Sequence, residues 1–498
     1  MKRSSFAGKT LILILSNIIT GTLAFVFSII LSRKIGSEGM GLYQLTMPVY
    51  SLFLCITGGG ITVSISKIAA EKKATGNLKE LYNTIKAVCI FEIIWSILVT
   101  AVLIMSCSII SKKLLYDERT MYGIIAFCPA LIIISISSVY KGAYYGIQRV
   151  LEPAIIDIVE KIIRIIVICT LLSALKSMSL EIKTAAAFIT LSFGEMVSLI
   201  LFVICFKGYV RKNPIHGKSD NDFQLIFNVL RLSFPLALNG ILGTIFTAII
   251  AVLIPRRLQD AGFIYEEALS LFGKLEGMAL TIAFYPSIVI NSLCVLLVPS
   301  ISEAVTFKKE QSVTRKMNLS LKITSLIAFS SAAIFFSIPL RIGFFFYNDE
   351  TVGELLKMLS IGLPLVYIEI TLCALLNGIG KQGALLLNSI IIALFELIAL
   401  YIFIGIPDIN IKGYAIDFIL YPIIGIILNL KEIKKSLNYS FDFTGIIIFP
   451  FLCSILLYFI INSVFINISS TPLLILISYL TYGIIYYPIN KMQNHSNL

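Results

Sequence analysis

Apolar residues run along this chain in fourteen long blocks, separated by short polar connections and with almost no soluble insert between them. A bilayer core about 30 Å thick needs roughly 20 apolar residues per helical pass. Seven blocks meet that length cleanly: Leu11–Ser32, Gly39–Ser66, Met121–Tyr140, Leu232–Pro255, Gly277–Ile301, Phe443–Ile468 and Ser469–Asn490. Ala87–Ser111, Ala154–Leu175, Thr184–Phe206, Met358–Gly380, Gln382–Ile406 and Gly413–Leu430 meet it by carrying charges, among them Glu92, Glu195, Glu369, Glu396 and Asp417. Ile323–Leu340 is short but uncharged. The pattern predicts an all-α polytopic membrane protein with 14 transmembrane helices, because helices satisfy their own backbone hydrogen bonds where no water can. None of the blocks alternates with the period of two that an outer-membrane barrel requires.

Composition strengthens this reading. At 58% hydrophobic and 14% charged residues, the chain has too little polar surface to enclose a soluble core. Its nine cysteines lie singly in or beside apolar blocks, as small core residues do, with no paired spacing for a disulfide or metal framework. The first apolar run is long for a signal sequence and lacks a small-residue cleavage site, so it reads as a retained helix.

Lysine and arginine placement predicts the threading. With the N-terminus inside, roughly two-thirds of the 40 Lys and Arg fall on cytoplasmic connections, which places both termini in the cytoplasm of a bacterial plasma membrane. The net charge of +12 is then a topology signal and an attraction to anionic inner-leaflet lipid. Nucleic acid is excluded as a partner, because no basic soluble domain exists to hold it.

The chain also carries an internal duplication. Asn17 and Gly21 match Asn239 and Gly243 at an offset of 222, and Ser64-Ile65-Ser66 matches Ser300-Ile301-Ser302 at 236. Gly146-Ile147-Gln148-Arg149 matches Gly378-Ile379-Gly380-Lys381 at 232. The expected organisation is an N-lobe of six helices (1–215), a C-lobe of six (216–435) and a last pair with a cytoplasmic tail (436–498). An even number of helices threads both lobes the same way, which favours a cavity between them and transport by alternating access.

Several stretches bear a family resemblance. Leu31-Ser32-Arg33-Lys34-Ile35-Gly36-Ser37-Glu38-Gly39 and Gly142-Ala143-Tyr144-Tyr145-Gly146-Ile147-Gln148-Arg149 resemble the polysaccharide-export branch of the multidrug/oligosaccharidyl-lipid/polysaccharide (MOP) exporter superfamily. The block 254–304, with Leu271-Phe272-Gly273-Lys274-Leu275-Glu276-Gly277 and Leu297-Val298-Pro299-Ser300-Ile301-Ser302, is similar to members of that branch tied to spore cortex peptidoglycan. The resemblance implies a MATE/MOP-like fold of two six-helix lobes plus two helices. It also implies flipping of an undecaprenyl-linked sugar, such as lipid II, with cell-wall synthases as further partners, and a role for the last two helices in a groove for the polyprenyl tail. One departure stands out. Where lipid II flippases of Gram-negative bacteria carry cavity arginines, this chain has Gly21, Phe27, Leu52 and Phe53, so a pyrophosphate would need cations from elsewhere.

The candidate cavity or gate residues are Asn17, Lys67, Arg231, Asn239, Lys274, Glu276, Asn291 and Glu369. Lys274 and Glu276 open the eighth helix and serve either substrate or a local ion pair. Lys67 and Arg231 lie at inner ends where a phosphate would enter. Asn17, Asn239 and Asn291 offer hydrogen bonds to sugars or between helices. Glu369, with Glu195 and Glu396, is a candidate H+ or Na+ site, membrane potential being the other expected driving force. Asp157, Glu160, Lys161 and Arg164 read as a helix start stabilised by Asp157–Lys161 and Glu160–Arg164 pairs at i,i+4. Gly58-Gly59-Gly60 permits a bend or close packing in the second helix. No cofactor and no metal ligand set is expected. Two alternatives remain beside the flippase: a cation-coupled multidrug exporter of the same fold, and a polytopic glycosyltransferase or polymerase. Against the enzyme stand the modest outer loops and the isolated His216 and His495, and no phosphate loop supports ATP-driven work.

Overall fold

A computed structural model describes residues 3–212, 220–307, 310–437, 439–465 and 467–496, without side chains for 3–7, 9–10, 310 and 487–496. Lys2, His216, Lys218, Lys308 and Lys309 lie outside the described residues, as do the side chains of Arg3, Lys9, Lys491 and His495. Every regular element among the described residues is helical, and eleven helices are long and apolar enough to cross a membrane. Two compact units divide the chain, 1–253 and 254–498.

The first unit opens with α1 (Arg3–Gly58), broken at Gly36 by φ 74° and ψ −178°, and continues in α2 (Ile61–Ala74). The stretch Leu11–Ala74 is 64 residues long, far beyond the roughly 20 of one crossing. It is followed by α3 (Leu78–Ile109), α4 (Thr120–Gly146), α5 (Leu151–Ala174), α6 (Leu180–Lys212) and α7 (Asp222–Asp260), the last running through the division.

The second helix of the sequence reading is not continuous. It breaks at Gly59-Gly60, with Gly60 at φ 76°. A Cβ on Gly60 would lie 2.6 Å from the Ser233 carbonyl oxygen and 2.8 Å from Leu236 Cβ, so α7 presses directly on the interrupted backbone. The single tryptophan repairs part of the damage: Trp95 Nε1 donates to the Ile56 carbonyl at 3.0 Å. That carbonyl has lost its helical partner and could not stay unpaired in hydrocarbon.

In the second unit the eighth span is segmented. It comprises α8 (Tyr265–Phe272), a π-helical turn Gly273–Ala279, α9 (Leu280–Phe284) and α10 (Ser287–Thr306). Pro286 causes the last break, since it has no N–H and its ring excludes a regular turn before it. The Ala283 carbonyl beside it accepts the Tyr367 hydroxyl at 2.5 Å. Then come α11 (Glu310–Ser337), the short α12 (Pro339–Tyr347), α13 (Glu350–Ile379), α14 (Gln382–Ile404), α15 (Lys412–Ser436), α16 (Phe449–Ser463) and α17 (Thr471–Ser496).

The duplication seen in sequence has a counterpart in packing within each unit. In the first, α4 packs against α6, α2 and α3, while α5 packs against α6. In the second, α13 packs against α15, α10 and α11, while α14 packs against α15. Gly146 of α4 meets Ser66 and Ala69 of α2, and Gly378 of α13 meets Ile301 and Val298 of α10. The cores match as well: Ile65, Leu81, Tyr144 and Phe202 cluster in one unit, and Ile301, Met317, Leu376 and Ile433 in the other.

Two polar clamps complete the correspondence. Arg119 donates to Glu38 at 2.6 Å and to Asp117 at 2.8 Å, tying the start of α4 to the α1 segment after Gly36. Lys274 pairs with Asp349 at 2.8 Å and bonds Thr351 at 2.6 Å, tying the start of α13 to the eighth span. Glu38 and Lys274 are 236 apart, and Asp117 and Asp349 are 232 apart, the same two offsets as the sequence matches. Only the first position changes sign: Glu38 becomes Lys274, Asp117 and Asp349 are alike, and Thr351 stands where Arg119 does.

Close backbone approach at Gly146 predicts a clear test. Gly146→Ala drives a Cβ into the Ser66 backbone and Ala69. It should destabilise the detergent-solubilised protein by about 1–3 kcal/mol, read as a lower melting temperature. Gly383→Ala, in open space at the start of α14, should leave it unchanged or slightly raised.

Candidate functional site

Inside the first unit, α1, α2, α4, α5 and α6 enclose a cavity of about 380 Å³, within the ~300–1,000 Å³ typical of small-ligand sites. Thr20, Thr62, Ser137, Ser138 and Ser198 supply hydroxyls, and Lys141, Asp157, Glu160, Lys161 and Glu195 supply charge. Each of these residues interrupts an otherwise apolar helix face, a costly placement that membrane helices reserve for packing interiors and cavities.

The charges pair differently from the i,i+4 reading. Asp157 binds not Lys161 but Lys141 of α4, at 2.7 and 2.9 Å. Lys161 turns to Glu160 at 2.8 Å, and Arg164 reaches the same carboxylate at 3.4 Å. The Glu160–Arg164 pair therefore stands, and the Asp157–Lys161 pair is replaced by a bond between helices. Lys141 follows the apolar block Met121–Tyr140, where the sequence places a cytoplasmic connection, yet α4 continues to Gly146 and carries it into the cavity wall. Glu195 makes no salt bridge among the described residues.

Arg164 is held in an unusual setting. Its guanidinium lies 5.0 Å from the centroid of the Phe27 ring, and its Nε is buried without a hydrogen-bond partner. Gly194 leaves room for it: a Cβ there would be 2.5 Å from Arg164 Cγ. Phe27 is one of the positions where the sequence lacks an expected cavity cation, and α5 brings a guanidinium to it. Glu160 is thus shared by two cations. An anion entering this region would meet donors already partly desolvated and incompletely matched.

The second unit gathers carboxylates instead. Glu369 accepts from Cys373 Sγ at 2.9 Å and lies 3.5 Å from Asn429 Nδ2, and Asn388 donates to Asn429 at 2.9 Å. A Cβ on Gly425 would lie 2.8 Å from Glu369 Cγ, so α15 approaches α13 closely here. Glu396 lies within electrostatic reach of Glu276, Glu369 and Asp417, and Tyr414 stands near Glu276, Glu396 and Asp417. Asp417 Oδ1 is buried without a partner. No lysine or arginine pairs with Glu276, Glu369, Glu396 or Asp417 among the described residues. The described residues hold no His/Cys/Asp/Glu group arranged for a metal ion.

The remaining sequence candidates fall elsewhere. Asn17, Lys67, Arg231, Asn239 and Asn291 are exposed side chains outside both groups. Thr20, one turn beyond Asn17, reaches the first-unit cavity. Lys274 is engaged in its clamp with Asp349 and Thr351. Arg257 docks onto α14, bonding the Tyr401 carbonyl at 2.8 Å and stacking 4.1 Å from the Tyr401 ring centroid.

Two helical units, each built around one central helix and each with charge in its interior, define a multi-pass membrane protein of the MATE/MurJ-like transporter fold. Residues 6–305 match the family described as "Polysaccharide biosynthesis protein", and the chain belongs to that family. It is 27% identical over 465 residues to stage V sporulation protein B of Bacillus subtilis (strain 168), covering 91% of this chain and 90% of that protein. Among solved structures it resembles "Lipid II flippase MurJ, inward closed conformation", with a TM-score of 0.68, 16% identity and coverage of 97% and 98%. It also resembles an inward-facing multidrug resistance MATE family transporter, with a TM-score of 0.65, 16% identity and coverage of 84% and 95%.

The Lys274–Asp349 clamp carries a pH prediction. Partial burial opposes the Asp349 carboxylate, but hydrogen bonds from Lys274 and Thr351 and the Lys274 charge outweigh it and hold its pKa below the ordinary value. A lowered folded pKa means the clamp stabilises fully above the unfolded value of about 3.9 and fades as pH falls through the folded one. Asp349→Asn keeps a helix cap but loses the charge. Its melting temperature should fall below wild type at pH 7, and the gap should narrow below pH ~4.

Proposed function

We propose that this protein is a flippase that moves an undecaprenyl-linked cell-wall or polysaccharide precursor from the inner to the outer leaflet by alternating access. In the narrowest form the cargo is lipid II destined for spore cortex peptidoglycan, with both termini in the cytoplasm and cell-wall synthases downstream. The observation that carries this reading is the first-unit charge cluster beside a hydroxyl-lined cavity, where Lys161 and Arg164 share Glu160, Lys141 is held by Asp157, and Glu195 balances the count at three cations to three carboxylates. A pyrophosphate needs cationic donors in a low dielectric, and sugars need hydroxyl partners. The resemblance to a structure described as a lipid II flippase supports this cargo class, and that to stage V sporulation protein B supports the sporulation setting. The chain acts as a transporter and not as an enzyme.

In this scheme the second-unit carboxylates couple transport to an H+ or Na+ gradient. Four carboxyls without a protein cation must be neutralised by protons or by ions from outside, so their occupancy follows the gradient. The same acidic group favours one second reading, export of organic cations, since it would attract them as readily as sodium.

Leaflet transfer of a fluorescent undecaprenyl-pyrophosphate sugar in proteoliposomes tests the proposal. Wild type should transfer the label, and Lys161→Ala and Arg164→Ala should each slow it by at least about tenfold, one charge-assisted contact being worth ~1.5–3 kcal/mol. Gly194→Ala should act like a mild Arg164 variant by displacing that side chain. Glu369→Gln should leave binding intact and remove the dependence of transfer on the ion gradient. Movement of a cationic dye with no lipid transfer would replace the flippase by the exporter.

A further inference from the structure

The second unit holds another pocket, away from its carboxylates. A hollow of about 520 Å³ lies between α12, α13, the end of α16 and the start of α17, largely apolar but with Arg341, Glu354, Lys357 and Asn462 on its walls. An apolar groove of about 330 Å³ lies between α11, α13 and α16. The two share Phe336 and Tyr458 and so form one continuous site.

The head of this site is cationic by one charge. Arg341 donates through Nη2 to the Ile468 carbonyl at 2.8 Å, which fixes it while leaving its charge without a carboxylate. The Lys357 ammonium rests 5.2 Å from the Phe336 ring centroid and makes no salt bridge among the described residues. Glu354 is the single acid on the wall. Below the head, Phe329, Phe336, Phe451 and Tyr458 pair across the groove at ring distances of 6.4 and 5.8 Å. From Lys357 to Pro364 the groove follows α13 for seven residues, about 10 Å, which stays within one leaflet of a core about 30 Å thick.

We infer that this site holds a resident anionic glycerophospholipid, its phosphodiester on Lys357 and Arg341 and one acyl chain in the aromatic groove. A phosphodiester carries one negative charge and matches the surplus of one. A pyrophosphate would need a second cation. The groove's length of about 10 Å seats the upper part of an acyl tail within one leaflet and offers no track for a far longer polyprenyl chain. With the cytoplasmic termini proposed above, the site opens to the outer leaflet, where the lipid wedges α16 and α17 against α11 and α13.

The test uses the purified full-length protein, delipidated in detergent and titrated with phosphatidylglycerol or phosphatidylcholine, with bound lipid counted by native mass spectrometry. Wild type should retain one phosphatidylglycerol and prefer it over phosphatidylcholine. Lys357→Gln should weaken it by roughly three- to tenfold, as loss of one partly exposed charge contact does. Ile361→Trp, which fills the groove without touching the head, should abolish retention. Equal retention by wild type and both variants would overturn the site. Displacement of phosphatidylglycerol by an equal concentration of undecaprenyl phosphate would overturn the resident-lipid assignment and give the groove to the carrier. Neither outcome depends on whether the protein flips a precursor, because no transport is measured.

Discussion

A backbone carbonyl or amide in hydrocarbon has no water to turn to, and that constraint governs where this chain can be anything but helical. It departs from the helix at Gly59-Gly60 and at Tyr285-Pro286, and in both places a large side chain from a neighbouring helix takes up a carbonyl beside the break. Trp95 serves one and Tyr367 the other. Irregular backbone inside a membrane is thus kept only where packing can satisfy it. The same helices that carry these breaks also carry the polar residues of each unit's interior. Thr62 lies two residues past the first break, and Glu276 lies in the π-helical turn before the second.

The two units have kept a packing plan and abandoned a common electrostatics. Around α4 the interior charges are mixed, with cations and carboxylates interlocked through Lys141–Asp157 and Glu160. Around α13 the interior is acidic, with Glu276, Glu369, Glu396 and Asp417 unpaired by any described cation. One scaffold thus carries two interiors, charge-balanced around α4 and acidic around α13, at corresponding places in the two units. That difference needs no new fold, only different side chains at corresponding depths.

The helical plan was legible because each crossing needs a minimum apolar length, and that length cannot be disguised. The offsets of 232 and 236 were legible too, since glycines at close helix contacts and residues at helix ends tolerate little change. The first-unit site was harder to read. Asp157, Glu160, Lys161 and Arg164 have good helical spacing, which suggested pairing along one helix. Their real partners include Lys141 on α4, and Arg164 depends on Gly194 and Phe27 from two further helices. Such contacts are set by packing between helices and leave no local spacing rule. Glu369 stood out by its depth, as Glu195 and Glu396 did, and by the helix that the family resemblance places beside a cavity, whereas its links to Cys373 and Asn429 required the fold.

The two clamps bear on how a duplicated protein assembles. Both halves present nearly interchangeable helix faces, so a nascent first half could in principle accept a helix meant for the second. Glu38 expects Arg119, and Lys274 expects Asp349. Exchanging partners would set Glu38 against Asp349, like charge against like, whereas Lys274 would still meet the Asp117 carboxylate. One of the two exchanges is therefore penalised by charge, a bias that helix-face symmetry alone would not supply.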